Sequence, residues 1–265
     1  MDPRLNPLQH EYQERYVAFL DILGFKDLIR RTVGASPDIK VEDIVRALDV
    51  PSEVKLNDII LGGIGDITAD GHTLTVFSDS VVISTLKNER GLMNLLFHVR
   101  AIVFRLLRLR VLSRGGIAQG LAYHHEGKVF GPAMLEAYRL ESVEADFPRV
   151  ILHSEVVHAG RSAAPPVDQL FERMIRASDG GYNMVHSLWA LRMLADSEKG
   201  FVGEAVDGIA RFLGDEETRL ASNGPPERGA KSAASLLQKV RWFREYFAWA
   251  TDRSWIDDIQ APFPK

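Results

Sequence analysis

Two aspartates sit where the surrounding residue types make a carboxylate consequential. Asp21 closes the apolar run Tyr16–Asp21, "YVAFLD", shortly before Gly24, and Asp79 lies between two serines at the hinge of "HTLTVFSDSVVISTL". A charged group at the end of a buried strand costs several kcal/mol unless it is paired, hydrogen-bonded or bound to a metal. Asp21 therefore has two candidate roles: a polar or metal ligand, or the cap of the amphipathic helix expected over "FKDLIRR". Asp79 occupies the tip of an expected β-hairpin. Other chemistries fare worse. His124 and His125 are adjacent on an expected strand, so they point to opposite faces and cannot easily chelate one ion together. Asp21 is followed by Ile-Leu, without the second Asp two residues on that aspartyl-phosphate phosphatases use. With no cysteine, thiol nucleophiles, zinc-thiolate sites and disulfides are excluded, and a reducing cytoplasm is compatible with the chain.

The elements that must position the aspartates follow from the pattern. After the first strand, "FKDLIRRTVG" and "VEDIVRALDV" read as short helices, and residues 51 to 72 as an irregular connection whose glycines form neither GxGxxG nor a P-loop. The hairpin around Asp79 precedes a helix with Leu92, Leu95, Leu96, Val99, Ile102, Val103, Leu106 and Leu107 at helical spacing, its arginines forming a solvated face. "VLSRGGIAQGLAYHHEGKVF" reads as a long strand or hairpin whose Gly115, Gly116 and Gly120 permit close approach of backbone or ligand. Gly131-Pro132 opens a further helix, and "RVILH" is a strand. The order β-α-β-β-α-β-α-β predicts an α+β sandwich of the ferredoxin-like kind, an antiparallel-rich sheet covered by helices, over residues 1–160. Residues 161–265 read as a helical C-terminal extension, with helices over "AAPPVDQLFERMIRA", "NMVHSLWALRMLAD", "EAVDGIARFLG" and "AASLLQKVRWFREYFAWA" and a loop at "ASNGPPERGAKS". In the last helix Trp242, Tyr246 and Trp249 share one face and Leu236, Val240, Phe243 and Phe247 another, so packing within the chain or a partner contact must cover both.

Composition bounds the partners. The chain has 265 residues, 46% of them hydrophobic and 26% charged, enough for one large globular domain or a domain with an appendage. A net charge of −4 disfavours nucleic acid, which calls for a basic face. No stretch approaches the roughly 18 apolar residues of a membrane span, and the N-terminus has no apolar signal core, so a cytoplasmic location is expected.

Four segments in register carry a family resemblance: "FLDILGF" (Phe19 to Phe25), "FSDSVVI" (Phe77 to Ile83), "RGGIAQG" (Arg114 to Gly120) and "GPAMLEAYRLES" (Gly131 to Ser142). Together they resemble the class III nucleotidyl cyclases over about residues 16 to 153, and the small size and helical tail look most like the stand-alone pyrimidine cyclases of the bacterial anti-phage Pycsar system. The resemblance implies a ferredoxin-like cyclase core and cyclisation of a nucleoside triphosphate to the 3′,5′-cyclic nucleotide and pyrophosphate. It implies two divalent ions, Mn2+ or Mg2+, held by Asp21, Asp79 and the carbonyl of Ile22, with the triphosphate at the amides around Gly24, Phe25 and Lys26. Hard oxygen ligands suit such ions. Arg139 is the implied transition-state residue, supplied by the partner in a homodimer with shared active sites. Its alternative is an ion pair with Glu136 or Glu141 on the same helix.

Departures from the family pattern are informative too. Leu135 stands where most members have an asparagine. Thr75 and Lys128 occupy the base-reading positions and match neither purine pattern; a lysine donor suits the uracil carbonyls, so UTP is favoured over CTP, with both positions alternatively being strand residues without a ligand. The implied product acts on a separate cyclic-nucleotide-sensing effector. An adenylate or guanylate cyclase, or an inactive cyclase-like module that senses nucleotides, are the alternatives.

Overall fold

The run that ends on Asp21 forms the middle of a sheet. The computed structural model describes residues 11–33, 37–49, 71–189, 199–222 and 233–252. In chain order they form β1 (Gln13–Leu23), α1 (Phe25–Arg30), α2 (Val41–Leu48), β2 (Thr73–Phe77), β3 (Ser80–Leu86), α3 (Glu89–Arg108), β4 (Leu112–His125), β5 (Lys128–Phe130) and α4 (Pro132–Arg139). A π-helical turn at Leu140–Glu144 continues α4, followed by β6 (Val150–Leu152), α5 (Ser154–Arg161), α6 (Val167–Met174), β7 (Ile175–Ala177), β8 (Asn183–Val185), α7 (Lys199–Ser222) and α8 (Ala233–Thr251).

The strand order is β2-β3-β1-β4-β6-β8-β7, with β5 paired to β4 outside this path. Its β2-β3-β1-β4 part is the expected ferredoxin-like arrangement, in which the helices between β1 and β2 carry the chain over β3. Every pairing is antiparallel except β4 with β6. Side chains of β1 alternate between two cores. Tyr16, Ala18, Leu20 and Ile22 pack with α3, α5 and α6; Val17 and Phe19 pack on the face covered by α4, α7 and α8. With helices on both faces, β1 is apolar almost throughout, as expected of a strand buried on two sides. A Cβ at Gly116 would lie 2.4 Å from the Ala137 carbonyl oxygen and 2.5 Å from the Leu140 Cβ, so glycine there lets α4 seat directly on β4. Of the two partners the glycines of this strand allow, Gly116 admits backbone.

The C-terminal third differs from the expectation. "MIRA" ends as strand β7 and "NMV" is strand β8 rather than the start of a helix; β8 pairs with β6, so the sheet continues past residue 160. Strands of three residues carry too little periodicity to be read, and the sheet edge rather than local propensity fixes them. The later helices are as expected, and both apolar faces of α8 are covered within the chain: Trp242, Tyr246, Trp249, Val240, Phe243 and Phe247 are buried, while Leu236 is exposed. The arginines of α3 do not all form a solvated face. Arg100 lies over the rings of Phe97 and Trp189, and Arg105 donates to the carbonyls of Arg46 and Asp49. The connection expected over 51–72 and the loop over 221–232 fall almost wholly outside the described residues. No helix among the described residues is long and apolar enough to cross a membrane.

Candidate active site

Register brings the two aspartates together. β1 and β3 pair antiparallel with Asp21 opposite Ser80, and the Ile22 amide donates to the Asp79 carbonyl oxygen at 2.7 Å. The two-residue turn Ser78–Asp79 joins β2 to β3, and Ser78 takes a positive φ of 54°. This ties the hairpin tip to the end of β1. The Asp79 side chain is exposed and makes no hydrogen bond among the described residues. Both carboxylates thus stand at one end of adjacent strands, as the sequence predicts. Gly24, with φ 76°, turns the chain from β1 into α1. Asp21 does not cap α1: Gly24 takes that position without a side-chain hydrogen bond. Phe25 and Lys26 open α1, where amides lack intrahelical acceptors; Lys26 is exposed and Phe25 packs on the core.

One residue of this site has no place in the sequence reading. Arg114, opposite Asp21 on β4, lies with its Nε 3.3 Å from Asp21 Oδ2 and 2.7 Å from Glu141 Oε1, and its Nη1 donates to the Ala145 carbonyl at 3.3 Å. Glu141 is only 3% exposed. A buried carboxylate needs such a partner, because an unpaired charge in the interior costs far more than the pair. The π turn accounts for Glu141 facing inward: widening the helix after Arg139 changes which residues face the sheet. Glu141 is consequently not the helix partner of Arg139. The arginine pairs instead with Glu136 and Glu144, each at 2.8 Å, and these pairs raise its pKa above the ordinary guanidinium value. The intrahelical ion pair expected with Glu136 is therefore present in the single chain.

The two expected base-reading residues do not converge. Lys128 is exposed and pairs across the β4–β5 hairpin with His125. Thr75 Oγ1 is instead 2.9 Å from Nε2 of His124, the neighbour whose side chain alternates to the other face of the strand. His124 Nδ1 is 2.8 Å from Ser84 Oγ, which also accepts from Arg15 Nε at 2.9 Å. Burial, followed by the Arg15 charge, pushes the His124 pKa down to about 4.

Apolar side chains are exposed beside Asp79 and along α4. Phe77 is 79% and Leu135 69% exposed, and the half-exposed Tyr138 packs edge-on against Phe19 at 5.2 Å between ring centroids. Among the described residues no group of three or more His, Asp or Glu side chains is placed to hold a metal ion. A metal here would rest on the two aspartates and main-chain oxygen. The donor set fits a hard divalent cation: Asp79 has its acceptors free, and Arg114 lies closer to Glu141 than to Asp21.

No family model matches the chain, and no curated protein does either. Two solved structures, each described as that of a bacterial light-regulated adenylyl cyclase, are similar in part. One covers 61% of this chain at 21% identity with a TM-score of 0.36, the other 69% at 18% identity with a TM-score of 0.38. The chain spans about half the length of these structures, 49% and 55% respectively.

Proposed function

We propose that the chain is a metal-dependent nucleotidyl cyclase that converts a pyrimidine nucleoside triphosphate, UTP before CTP, to its 3′,5′-cyclic nucleotide and pyrophosphate. The observation that carries this reading is the convergence of Asp21 and Asp79 through the β1–β3 register and the Ile22–Asp79 main-chain bond. It agrees with the four motifs that resemble class III cyclases.

In this reading the 3′-hydroxyl loses its proton to solvent water and its oxygen attacks the α-phosphorus as the bond to the bridging oxygen of the departing pyrophosphate breaks. Asp21, Asp79 and the Ile22 carbonyl would hold two Mn2+ or Mg2+ ions, whose chemistry would be to neutralise the phosphates and lower the pKa of the 3′-hydroxyl. The amides of Gly24, Phe25 and Lys26 bind the triphosphate, with the Lys26 ammonium nearby. Arg139 of a second copy contacts the α-phosphoryl oxygens, where charge develops, and gives up Glu136 or Glu144 to do so. The exposed Phe77, Leu135 and Tyr138 supply apolar surface for a homodimer. The product serves as a messenger to a separate effector in anti-phage defence, and the site operates in the cytoplasm.

A second reading has its own observation. Leu135 in place of the family asparagine, together with an Arg139 already paired twice, favours a module that binds nucleotides without cyclising them. Incubation with each of the four NTPs and Mn2+, followed by mass analysis, separates the two. Cyclic UMP as the main product supports the proposal; a folded protein that binds UTP and yields no cyclic product supports the sensor; and cyclic AMP as main product overturns the pyrimidine assignment.

A further inference from the structure

The hydrogen bonds from Arg15 to Thr75 have a direction that the atoms determine. Arg15 Nε can only donate, so it uses one lone pair of Ser84 Oγ. Ser84 is fully buried, and the acceptor facing its own proton is His124 Nδ1 at 2.8 Å. A buried hydroxyl proton left without an acceptor costs about 1–3 kcal/mol, which selects the arrangement in which Ser84 donates and Nδ1 accepts. The neutral ring then carries its proton on Nε2 and donates it to Thr75 Oγ1 at 2.9 Å. Nothing else among the described residues bonds the Thr75 hydroxyl, so its proton is left to donate outward.

Thr75 also lies one cross-strand row from Asp21. Thr75, Val82, Phe19 and Gly116 form one cross-strand row, and Phe77, Ser80, Asp21 and Arg114 form the next row on the same sheet face. Two residues along a strand separate the rows by about 7 Å. Thr75 is half-buried, on the edge strand β2, rather than sealed in the core.

We propose that His124 is a positioning residue that holds Thr75 as a hydrogen-bond donor, so that the base edge Thr75 reads is a carbonyl, the 4-oxo group of uracil, and a 4-amino group is rejected. This deepens the proposed function and rests on the reading of the site as a nucleotide site. Selectivity of this kind arises because an amino group would face the Thr75 proton donor to donor and leave both unpaired. The lysine expected to read the base is not required, since Lys128 stands opposite His125, which takes the other strand face from His124.

The test uses the full chain. Nitrogen-15 NMR of its histidines, with the His124 signals assigned by their loss in His124→Gln, is expected to show a neutral ring protonated on Nε2; protonation on Nδ1 overturns the relay. Binding of α,β-methylene UTP and CTP in the presence of Mn2+ is then measured by calorimetry. Wild type is expected to prefer the UTP analogue by at least about tenfold, the scale of one unpaired polar group. Thr75→Val, which keeps the shape and removes the hydroxyl, brings the two analogues to within about threefold. His124→Phe does the same, while His124→Gln, whose amide can still donate to Thr75, keeps the preference. An unchanged preference in Thr75→Val refutes this inference alone. Binding of neither analogue by folded wild type refutes the nucleotide reading itself and the inference with it, and failure of His124→Phe to fold leaves the isosteric Thr75→Val and the wild-type spectrum to decide.

Discussion

Asp21 and Asp79 share one end of the sheet in different electrostatic situations. Asp21 has a guanidinium at 3.3 Å, and Asp79 has no side-chain partner among the described residues. Neither carboxylate is needed to neutralise a buried charge, because Glu141 already sits 2.7 Å from Arg114 Nε. On the proposed function, replacing either aspartate should therefore remove cyclisation and leave the fold intact. Asp21→Ala and Asp79→Ala are expected to lose more than the 10- to 100-fold that even an outer-shell metal partner contributes, with melting temperatures near wild type; substantial cyclic product from either variant in the NTP assay rules out the two-aspartate site. Glu141→Gln is the opposite case. It leaves the largely buried Arg114 with Asp21 at 3.3 Å and one carbonyl, and should cost about 3 kcal/mol in urea unfolding, the lower end for breaking a buried pair. The exposed pair of Glu136 with Arg139 supplies the control, since Glu136→Gln should cost less than about 1 kcal/mol. Equal losses in the two variants would mean that burial of Glu141 has no energetic consequence.

Helix α4 and strand β4 have to be nearly in contact for Arg114 to reach Glu141, and Gly116 sets that spacing. The atoms a Cβ would meet there are a carbonyl oxygen and a Cβ of α4, neither of which can swing aside, so Gly116→Ala must lift the helix and should destabilise by about 1–3 kcal/mol. Gly208, inside α7, has nothing within 4 Å of its would-be Cβ, so Gly208→Ala should stabilise by about 1 kcal/mol through helix propensity. Denaturant midpoints moving in opposite directions for the two alanines are the expected result, and a stabilised Gly116→Ala contradicts the close packing. The same contact shows where the sequence was legible. Apolar runs, glycines and the Gly131-Pro132 entry reveal β1, the hairpin at Asp79, α3 and α4, because each is long or punctuated. The aspartates are legible for the same reason, as charges in conspicuously apolar strands. Arg114 stands within "RGGIAQG" with nothing in the sequence to mark a role, since its pairing depends on lying opposite Asp21, and antiparallel register is not written in either strand alone. Glu141 needed a π turn to face inward, and β7 and β8 needed an existing sheet edge. The Thr75–His124 bond joins residues 49 apart and involves a strand that is not a sheet neighbour of β2, which no spacing rule anticipates.

On the scale of the whole molecule, the end of the sheet that carries Asp21 and Asp79 and the side chain of Arg139 are not paired with one another. Arg139 is engaged by Glu136 and Glu144 on its own helix and makes no hydrogen bond or ion pair with Asp21 or Asp79. If the site is completed across a two-fold axis, each dimer has two sites, each with aspartates from one copy and arginine from the other. Asp21→Ala and Arg139→Ala should then both be inactive as homodimers. In a mixed dimer one site combines both defects and the other has neither, so co-refolding the two variants in equal amounts should restore about a quarter of wild-type turnover: random pairing makes half of the dimers mixed, and each of those has one of its two sites intact. In such a dimer the exposed Phe77, Leu135 and Tyr138 would give the interface apolar content, so Leu135→Glu should weaken association and lower activity at limiting protein concentration, with recovery as concentration rises. Restored turnover in the mixture, together with a dimeric mass by sedimentation, is the expected outcome. A monomeric mass under conditions of full activity excludes the shared site, and an inactive mixture in which heterodimers are demonstrated assigns Arg139 to its intrahelical ion pairs alone.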